Sequence, residues 1–195
     1  GIVGRSGLTE VDGGSDPASK RTGARQVDGG YVLNGAKMWI TNAPISDVCL
    51  VWAKLDGVIR GFLVDRGSEG LTTPKIETKL SLRASITGEI ALADVFVPEN
   101  QMLPNVTGLR GPFSCLNKAR YGISWGAMGA AEFCLHASRE YTLTRKLFGK
   151  PLAAFQGASF TLAKSKVDIE AMRWLVYHLA WAVDEGQNPM LDASI

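Results

Sequence analysis

Residues 8–16 (LTEVDGGSD) combine hydroxyl and carboxylate side chains with two consecutive glycines. Because glycine has no Cβ, the backbone at Gly13 and Gly14 can approach a bound molecule closely. Thr9 and Ser15 add hydroxyl groups that both donate and accept hydrogen bonds. The segment is therefore a candidate ligand-binding loop, and an ordinary surface turn is the alternative interpretation.

A second segment, residues 37–42 (KMWITN), places an aromatic side chain beside a hydroxyl group. Side chains alternate across a β-strand, so we expect Trp39 and Thr41 on the same face. A large aromatic ring beside a hydroxyl donor suits a planar heterocycle with polar edges. A core tryptophan with a satisfied threonine is the alternative interpretation.

A third segment, residues 141–152 (YTLTRKLFGKPL), is followed by Gln156. Arg145 and Phe148 offer a cation and an aromatic ring at the end of a predicted helix, a combination that suits a pyrophosphate and a purine. A solvated helix terminus is the alternative interpretation of this segment.

Residues 122–126 (GISWG) match the G-x-S-x-G motif of hydrolases, which requires a strand before the serine and a helix after it. Ser124 instead lies inside a helical pattern, so we expect its hydroxyl near the carbonyl four residues earlier. Small residues recur every four positions here and predict a ridge that a helix or a flat ligand can approach: Gly122, Gly126, Ala130 and Cys134. No P-loop, Rossmann glycine pattern or H-E-x-x-H occurs, which argues against those nucleotide and metal sites.

The elements that position these segments change in character near residue 105. Before it, short runs rich in Val, Ile, Leu and Thr predict strands at 23–27, 31–33, 47–53, 58–64 and 89–97, with a weaker one at 71–76. Strands at this spacing, with no helical pattern between them, predict an antiparallel sandwich or barrel. We assign residues 1–105 to this β-domain.

The second part of the chain, residues 106–195, is predicted to be helical. After Pro112 the apolar residues recur at helical spacing, first up to residue 145 and then from 152 to 188, with residues 149–151 (GKP) between them. Two long helices with a tight connection predict an antiparallel hairpin. Its apolar faces need further partners, so the fold class is α+β with an incomplete helical bundle.

Composition excludes several classes of protein. Apolar residues make up 46% and charged residues 21%, which is typical of globular proteins. Twenty-one basic and 19 acidic residues give a net charge of only +2, so neither a nucleic-acid partner nor a polybasic membrane surface is expected. No apolar run reaches the length of a membrane span. Three cysteines without a C-x-x-C pair indicate a reducing compartment and argue against structural zinc.

Taken in order, the three segments resemble the signatures of the acyl-CoA dehydrogenase family of flavoproteins. The matching positions are residues 8–10 with 14–16, residues 39–42, and the pattern R-x-x-F-G-x-P-L-x-x-x-Q that starts at Arg145. Residues 108–123 (GLRGPFSCLNKARYGI) look most like the glutaryl-CoA dehydrogenase branch. The resemblance implies a middle β-domain followed by the start of a C-terminal helical domain.

The resemblance also implies roles for individual residues. The cofactor would be FAD, contacted by Leu8, Thr9, Ser15, Trp39, Ile40, Thr41, Arg145, Phe148 and Gln156. The last three would contact the FAD of a neighbouring subunit, which implies a homo-oligomer, expected to be a tetramer. The acyl-CoA thioester would be held by Ser15, Phe113, Leu116, Asn117 and Arg120. No metal ligand is expected.

Two positions depart from the family pattern. Ser6 stands where the family usually has an aromatic residue. The family's catalytic base is a glutamate, placed in most members far toward the C-terminus and in some early in the first long helix, where this chain has Ala119. No residue of this chain is therefore assigned as catalytic, and we expect the 195 residues alone to be inactive.

The activity implied is α,β-dehydrogenation of an acyl-CoA, most specifically the oxidative decarboxylation of glutaryl-CoA to crotonyl-CoA. An electron-transferring flavoprotein would accept the electrons. The alternatives are a straight- or branched-chain acyl-CoA dehydrogenase or oxidase, a DNA-associated flavin-binding relative, and a non-catalytic fragment. The expected location is the cytoplasm of a bacterium or the mitochondrial matrix of a eukaryote.

Overall fold

The computed structural model describes residues 1–187. The chain divides into two compact units, Gly1–Ser114 and Cys115–Ile195. The predicted fold class is confirmed, because a curled β-sheet is followed in the chain by long helices. The domain boundary at residues 105–106 stays a prediction, and the last eight residues of the predicted helical domain lie outside the described residues.

The first unit contains one sheet of seven strands. They are β1 (Gly4–Gly7), β2 (Gly23–Val27), β3 (Gly30–Thr41), β4 (Val48–Leu55), β5 (Val58–Asp65), β6 (Leu71–Thr72) and β7 (Thr87–Pro98). The strand order is β1-β4-β2-β3-β7-β6, and β5 also pairs with β4. The prediction of an antiparallel sheet holds except that β4 runs parallel to both β1 and β2. These strands are joined through distant parts of the chain, so no tight hairpin dictates their direction.

The core of this unit consists of apolar side chains from the four longest strands and the turn after β3. In β7, alternate residues face inward, with Ile90 and Leu92 buried before an irregularity and Val95 and Val97 buried after it. An edge-to-face contact between Tyr31 and Phe62, with ring centroids 5.3 Å apart, joins β3 to β5. Burial of this cluster is the main force that holds the sheet in its curled form.

Two β-bulges interrupt the pairing of β3 with β7. Near Leu33, β7 carries one extra residue; between Lys37 and Ile40, the extra residue lies on β3. Gly35, beside the first bulge, has a φ of +141°, and a Cβ there would lie 2.6 Å from the Thr22 hydroxyl oxygen. The second bulge lies inside the segment 37–42 and changes which of its side chains face the interior.

The second unit contains most of α1 (Arg110–Thr144) and all of α2 (Gln156–Asp184). Between them, β8 (Lys146–Leu147) and β9 (Lys150–Pro151) form a minute hairpin, and a 3-10 turn at Leu152–Ala154 starts α2 later than predicted.

The two helices run antiparallel within this unit, as predicted. The rings of Trp125 and Tyr177 lie 5.9 Å apart, and further along α1 Glu132 forms an ion pair with Arg173. Residues further along α1 thus contact residues that come earlier in α2, as expected for antiparallel helices. Within residues 1–187, no helix is long and apolar enough to cross a lipid bilayer.

We predict that Gly35→Ala lowers the free energy of unfolding by about 2–4 kcal/mol, because the new methyl group meets Thr22 and the backbone remains at positive φ. Gly57→Ala is the matched control, since Gly57 also has positive φ but nothing lies within 4 Å of its Cβ position. It should cost about 1 kcal/mol. Urea unfolding measures both variants, and equal losses would contradict the steric account.

Candidate functional site

The loop after β1 is tied to the second bulge of β3. Because the bulge interrupts the ladder, the N–H of Met38 donates a 2.9 Å hydrogen bond to the carbonyl of Thr9. Leu8 and Thr9 are half-buried and Ser15 is exposed. Within residues 1–187, the hydroxyl and the backbone N–H of Thr9 have no protein partner. The loop therefore presents hydrogen-bonding groups of Thr9 that remain available to a ligand.

Trp39 is held in an unusual backbone conformation next to this loop. Its φ is +61°, a left-handed value that is rare for a bulky residue, and its side chain is 58% exposed. Thr41 is also exposed, and its hydroxyl has no partner in the described part of the chain, whereas Ile40 between them is buried. The expectation that Trp39 and Thr41 share a face is met, and Trp39 is not a core residue.

Glu10 and Lys37 form an ion pair that is nearly removed from solvent. Their exposed fractions are 8% and 0%, and the distance from Lys37 Nζ to Glu10 Oε1 is 2.6 Å. Glu10 Oε1 also accepts hydrogen bonds from the Thr22 hydroxyl at 2.7 Å and the Thr22 N–H at 3.2 Å. Glu10 Oε2 accepts one from the Arg21 N–H at 2.6 Å. Every polar atom of the buried carboxylate is thereby satisfied.

The electrostatics of this cluster follow from burial and pairing. Burial acts to raise the pKa of Glu10, but the hydrogen bonds from Lys37, Arg21 and Thr22 and the charge of Lys37 outweigh it and lower that pKa from 4.5 to about 2. Burial lowers the pKa of Lys37, and Glu10 opposes that shift. Lys20 is also buried, and burial together with the Lys37 charge lowers its pKa from 10.5 to about 8.

The residues that the resemblance assigns to the thioester lie on α1. Phe113, Leu116, Asn117 and Arg120 follow the spacing that places side chains on one face of a helix. Leu116 and Asn117 are half-buried, whereas Phe113 and Arg120 are exposed. Arg120 Nη1 donates a 2.8 Å hydrogen bond to the side-chain oxygen of Asn117, which orients both polar groups.

The third segment forms the tip of the β8–β9 hairpin. Phe148 and Gly149 occupy its two central positions, both with positive φ (50° and 76°), and the Phe148 side chain is 95% exposed. The carbonyl of Arg145 accepts a 2.7 Å hydrogen bond from the Leu152 N–H, which closes the hairpin. Arg145 and Gln156 are also exposed. Phe148 is thus an exposed aromatic residue in a backbone conformation that is uncommon for residues other than glycine.

The hydrolase motif has no catalytic geometry. Ser124 lies in the interior of α1, and its hydroxyl donates a 3.0 Å hydrogen bond to the carbonyl of Arg120, as predicted. The predicted ridge of small residues has no close neighbour at two of its positions. Nothing among residues 1–187 lies within 4 Å of the Cβ positions of Gly122 and Gly126. Cys134, at the end of that ridge, lines the groove between α1 and α2. No cluster of potential metal ligands occurs among the described residues.

Both parts of the chain match models of known protein domains. Residues 6–95 match the model of the acyl-CoA dehydrogenase middle domain, and residues 107–195 match that of the acyl-CoA dehydrogenase C-terminal domain. The chain belongs to the acyl-CoA dehydrogenase family. The order of the two matches agrees with a β-sheet followed by helices.

Relatives within the acyl-CoA dehydrogenase family differ in the substrates that they are named for. The short-chain specific acyl-CoA dehydrogenase of Megasphaera elsdenii is 38% identical over 99% of this chain and 52% of its own length. A glutaryl-CoA dehydrogenase from Mycobacterium smegmatis, solved in complex with FADH2, is 42% identical, with a TM-score of 0.91 over 98% of this chain and 53% of that one.

A third relative comes from a structure described as the electron transferring flavoprotein of Acidaminococcus fermentans. It is 34% identical, with a TM-score of 0.88, and the match covers 98% of this chain and 52% of that chain. The present chain thus spans about half the length of the relatives that it matches.

The Glu10–Lys37 pair is not predicted from the sequence. Glu10 belongs to a candidate loop and Lys37 to a candidate strand, and no local pattern brings the two together. The available signal was a lysine within a strand of mainly apolar and aromatic residues, together with a carboxylate in a loop that needed a partner. A regular strand would place Lys37, Trp39 and Thr41 on one face, and only the bulge turns Lys37 to the buried side.

We predict that Glu10→Gln lowers the free energy of unfolding near pH 6 by about 2–4 kcal/mol, because it removes one buried charge of a pair. The folded-state pKa of Glu10 lies below its ordinary value, so its stabilisation is present above about pH 4.5 and is lost as the pH falls toward 2. The difference between wild type and Glu10→Gln should therefore shrink as urea unfolding is repeated from pH 5 down to pH 3.

The exposed Glu69→Gln is the control, and it should change stability by no more than about 0.5 kcal/mol across that range. A difference for Glu10→Gln that stays constant with pH would show that the carboxylate is not stabilised in its charged form.

Proposed function

We propose that this chain forms the flavin-binding side of an FAD-dependent acyl-CoA dehydrogenase. The observation that carries this proposal is that Trp39 is exposed and has a strained backbone conformation. It lies next to a loop in which the carbonyl of Thr9 accepts a hydrogen bond from the Met38 N–H. A planar heterocycle requires an aromatic surface for its face and hydrogen-bonding groups for its edge. Here the surface is Trp39, and the unpartnered groups are the Thr9 N–H, the Thr9 hydroxyl and the Thr41 hydroxyl.

When bound, FAD accepts the hydride that leaves the β-carbon of the acyl thioester. The chain's own residues bind and orient the reactants. Hydrogen bonds from Thr9 to the pyrimidine edge of the flavin ring would stabilise negative charge there. Leu8 and Trp39 would limit the access of water to the flavin, whereas the side chain of Ile40 lies in the core. Ser15 would reach both the cofactor and the acyl-CoA.

The proton-abstracting base is the part of this chemistry that residues 1–195 do not supply. Ala119 occupies the position in the first long helix where some family members have glutamate, and a methyl group cannot accept a proton. We propose that the base is a glutamate of the intact protein outside these residues. The 195-residue chain alone is then expected not to turn over.

The proposed substrate is glutaryl-CoA, which is oxidised and then decarboxylated to crotonyl-CoA. Support comes from the 42% identity to the Mycobacterium smegmatis enzyme and from residues 108–123, where Phe113, Asn117 and Arg120 lie. The 38% identity to a short-chain specific relative favours butyryl-CoA as the alternative substrate.

The proposed partners are an electron-transferring flavoprotein and further copies of the same protein in a tetramer. The match to a chain in the Acidaminococcus fermentans structure supports the first. The exposed Phe148 at the tip of the hairpin supports the second, since a strained aromatic residue in water is expected to pack against another surface.

We predict that the protein expressed from its intact gene purifies with FAD and is reduced by glutaryl-CoA faster than by butyryl-CoA or isovaleryl-CoA. Bleaching of the flavin absorbance under anaerobic conditions measures each rate, and analysis of the product identifies decarboxylation. A faster rate with butyryl-CoA would transfer the assignment to the short-chain branch. Absence of bound flavin, with none taken up on titration, would overturn the proposed function itself.

A further inference from the structure

The Glu10–Lys37 ion pair is almost completely buried, and stability alone does not explain why charged residues occupy these two positions. Removing two charges from water costs several kcal/mol, and apolar residues of similar volume often stabilise a fold as well or better. The pair is nevertheless built with four hydrogen bonds to one carboxylate, the shortest of them 2.6 Å long. Charged groups held in this way fix geometry as well as energy.

The position of the pair in the chain shows which geometry it fixes. Glu10 directly follows Thr9, and Lys37 precedes Trp39 by two residues. A hydrogen bond from the Met38 N–H to the Thr9 carbonyl joins the residue before Glu10 to the residue after Lys37. A side-chain link and a backbone link therefore connect the same two segments, and both segments carry proposed flavin contacts.

The surrounding backbone leaves space for the two partners. A Cβ at Gly7 would lie 3.2 Å from Lys37 Cγ and 2.9 Å from a methyl group of Ile90, so the lysine stem passes directly over this glycine. On the other side, Gly35 allows the close approach of Thr22, whose hydroxyl and N–H both donate to Glu10. The cluster is thus enclosed by chain segments that a larger residue would displace.

We propose that Glu10 and Lys37 are positioning residues that set the placement of Thr9 relative to Trp39 and thereby the affinity for the flavin. The inference rests on the proposed function, because it assumes that FAD binds at these residues. Neither side chain is proposed to touch the cofactor. Their effect passes through Thr9 on one side and through Met38 and Trp39 on the other.

The test uses the intact protein stripped of its flavin and titrated with FAD. We expect Lys37→Met to weaken FAD binding at least tenfold and to change the shape of the visible absorption band of the flavin. Lys75→Met is the matched control, since it makes the same substitution at a lysine whose ion pair with Glu77 is exposed. It should leave both the affinity and the spectrum unchanged.

A second variant separates positioning from stability. Glu10→Gln combined with Lys37→Met removes both charges, so it should recover much of the melting temperature that Lys37→Met loses. The amide group that Glu10→Gln introduces would face the Arg21 N–H as a second donor, so the loop geometry and the FAD affinity should not recover. Recovery of both quantities together would show a purely structural role and overturn the proposal.

Thr22→Val keeps the shape of the cluster and removes one hydrogen bond to Glu10, so it carries the test if either larger change prevents folding. It should weaken FAD binding severalfold, and an unchanged affinity would again overturn the proposal. A wild-type protein that binds no FAD would instead overturn the proposed function. Normal FAD binding by wild type and all variants would overturn the positioning role alone.

Discussion

The arrangement of the candidate site depends on one buried ion pair. A carboxylate and an ammonium group can remain charged away from water only when each is paired and hydrogen-bonded. Glu10 and Lys37 meet that requirement with the backbone of residues 21 and 22 as additional donors. Satisfying the carboxylate therefore brings three separate chain segments together. The loop that carries Thr9 is held against β3 as a consequence of this requirement.

The bulge in β3 makes this pairing compatible with an exposed aromatic ring. In a regular strand, Lys37 and Trp39 would face the same side, and one of them would be in the wrong environment. One extra residue reverses that relation, so that Lys37 is buried and Trp39 is exposed. The left-handed conformation of Trp39 accompanies this reversal. Conformational strain at Trp39 and at Phe148 coincides with the two aromatic positions assigned to the flavin.

Much of the fold could be predicted from local patterns. The alternation in β7, the turn at residues 56 and 57 and the helical spacing after Pro112 each reflect forces between near neighbours. The parallel pairing of β4 with β1 and β2 could not be predicted in this way, because it depends on contacts between distant segments. β1 itself was missed, since its four residues (GRSG) carry no apolar pattern.

The candidate site was predictable in its residue types but not in its internal geometry. Trp39 and Thr41 were expected on one face, and both are exposed. The bulge that changes the orientation of Lys37 left no signal in the binary pattern, because it depends on pairing with β7. The Ser124 motif was correctly rejected from its helical surroundings alone. Local sequence context is therefore sufficient to exclude a hydrolase site at Ser124. The arrangement of Glu10, Lys37 and Trp39 depends on contacts between distant parts of the chain.

We propose above all that a single ion pair holds together the two segments that carry the proposed flavin contacts. Amide hydrogen exchange of the flavin-free intact protein tests it most directly when Lys37→Met is compared with Lys75→Met. Lys37→Met should increase exchange in residues 8–15 and residues 37–42 together, while Lys75→Met should leave both unchanged. Unaltered exchange in either segment of Lys37→Met, with the protein still folded, would contradict it.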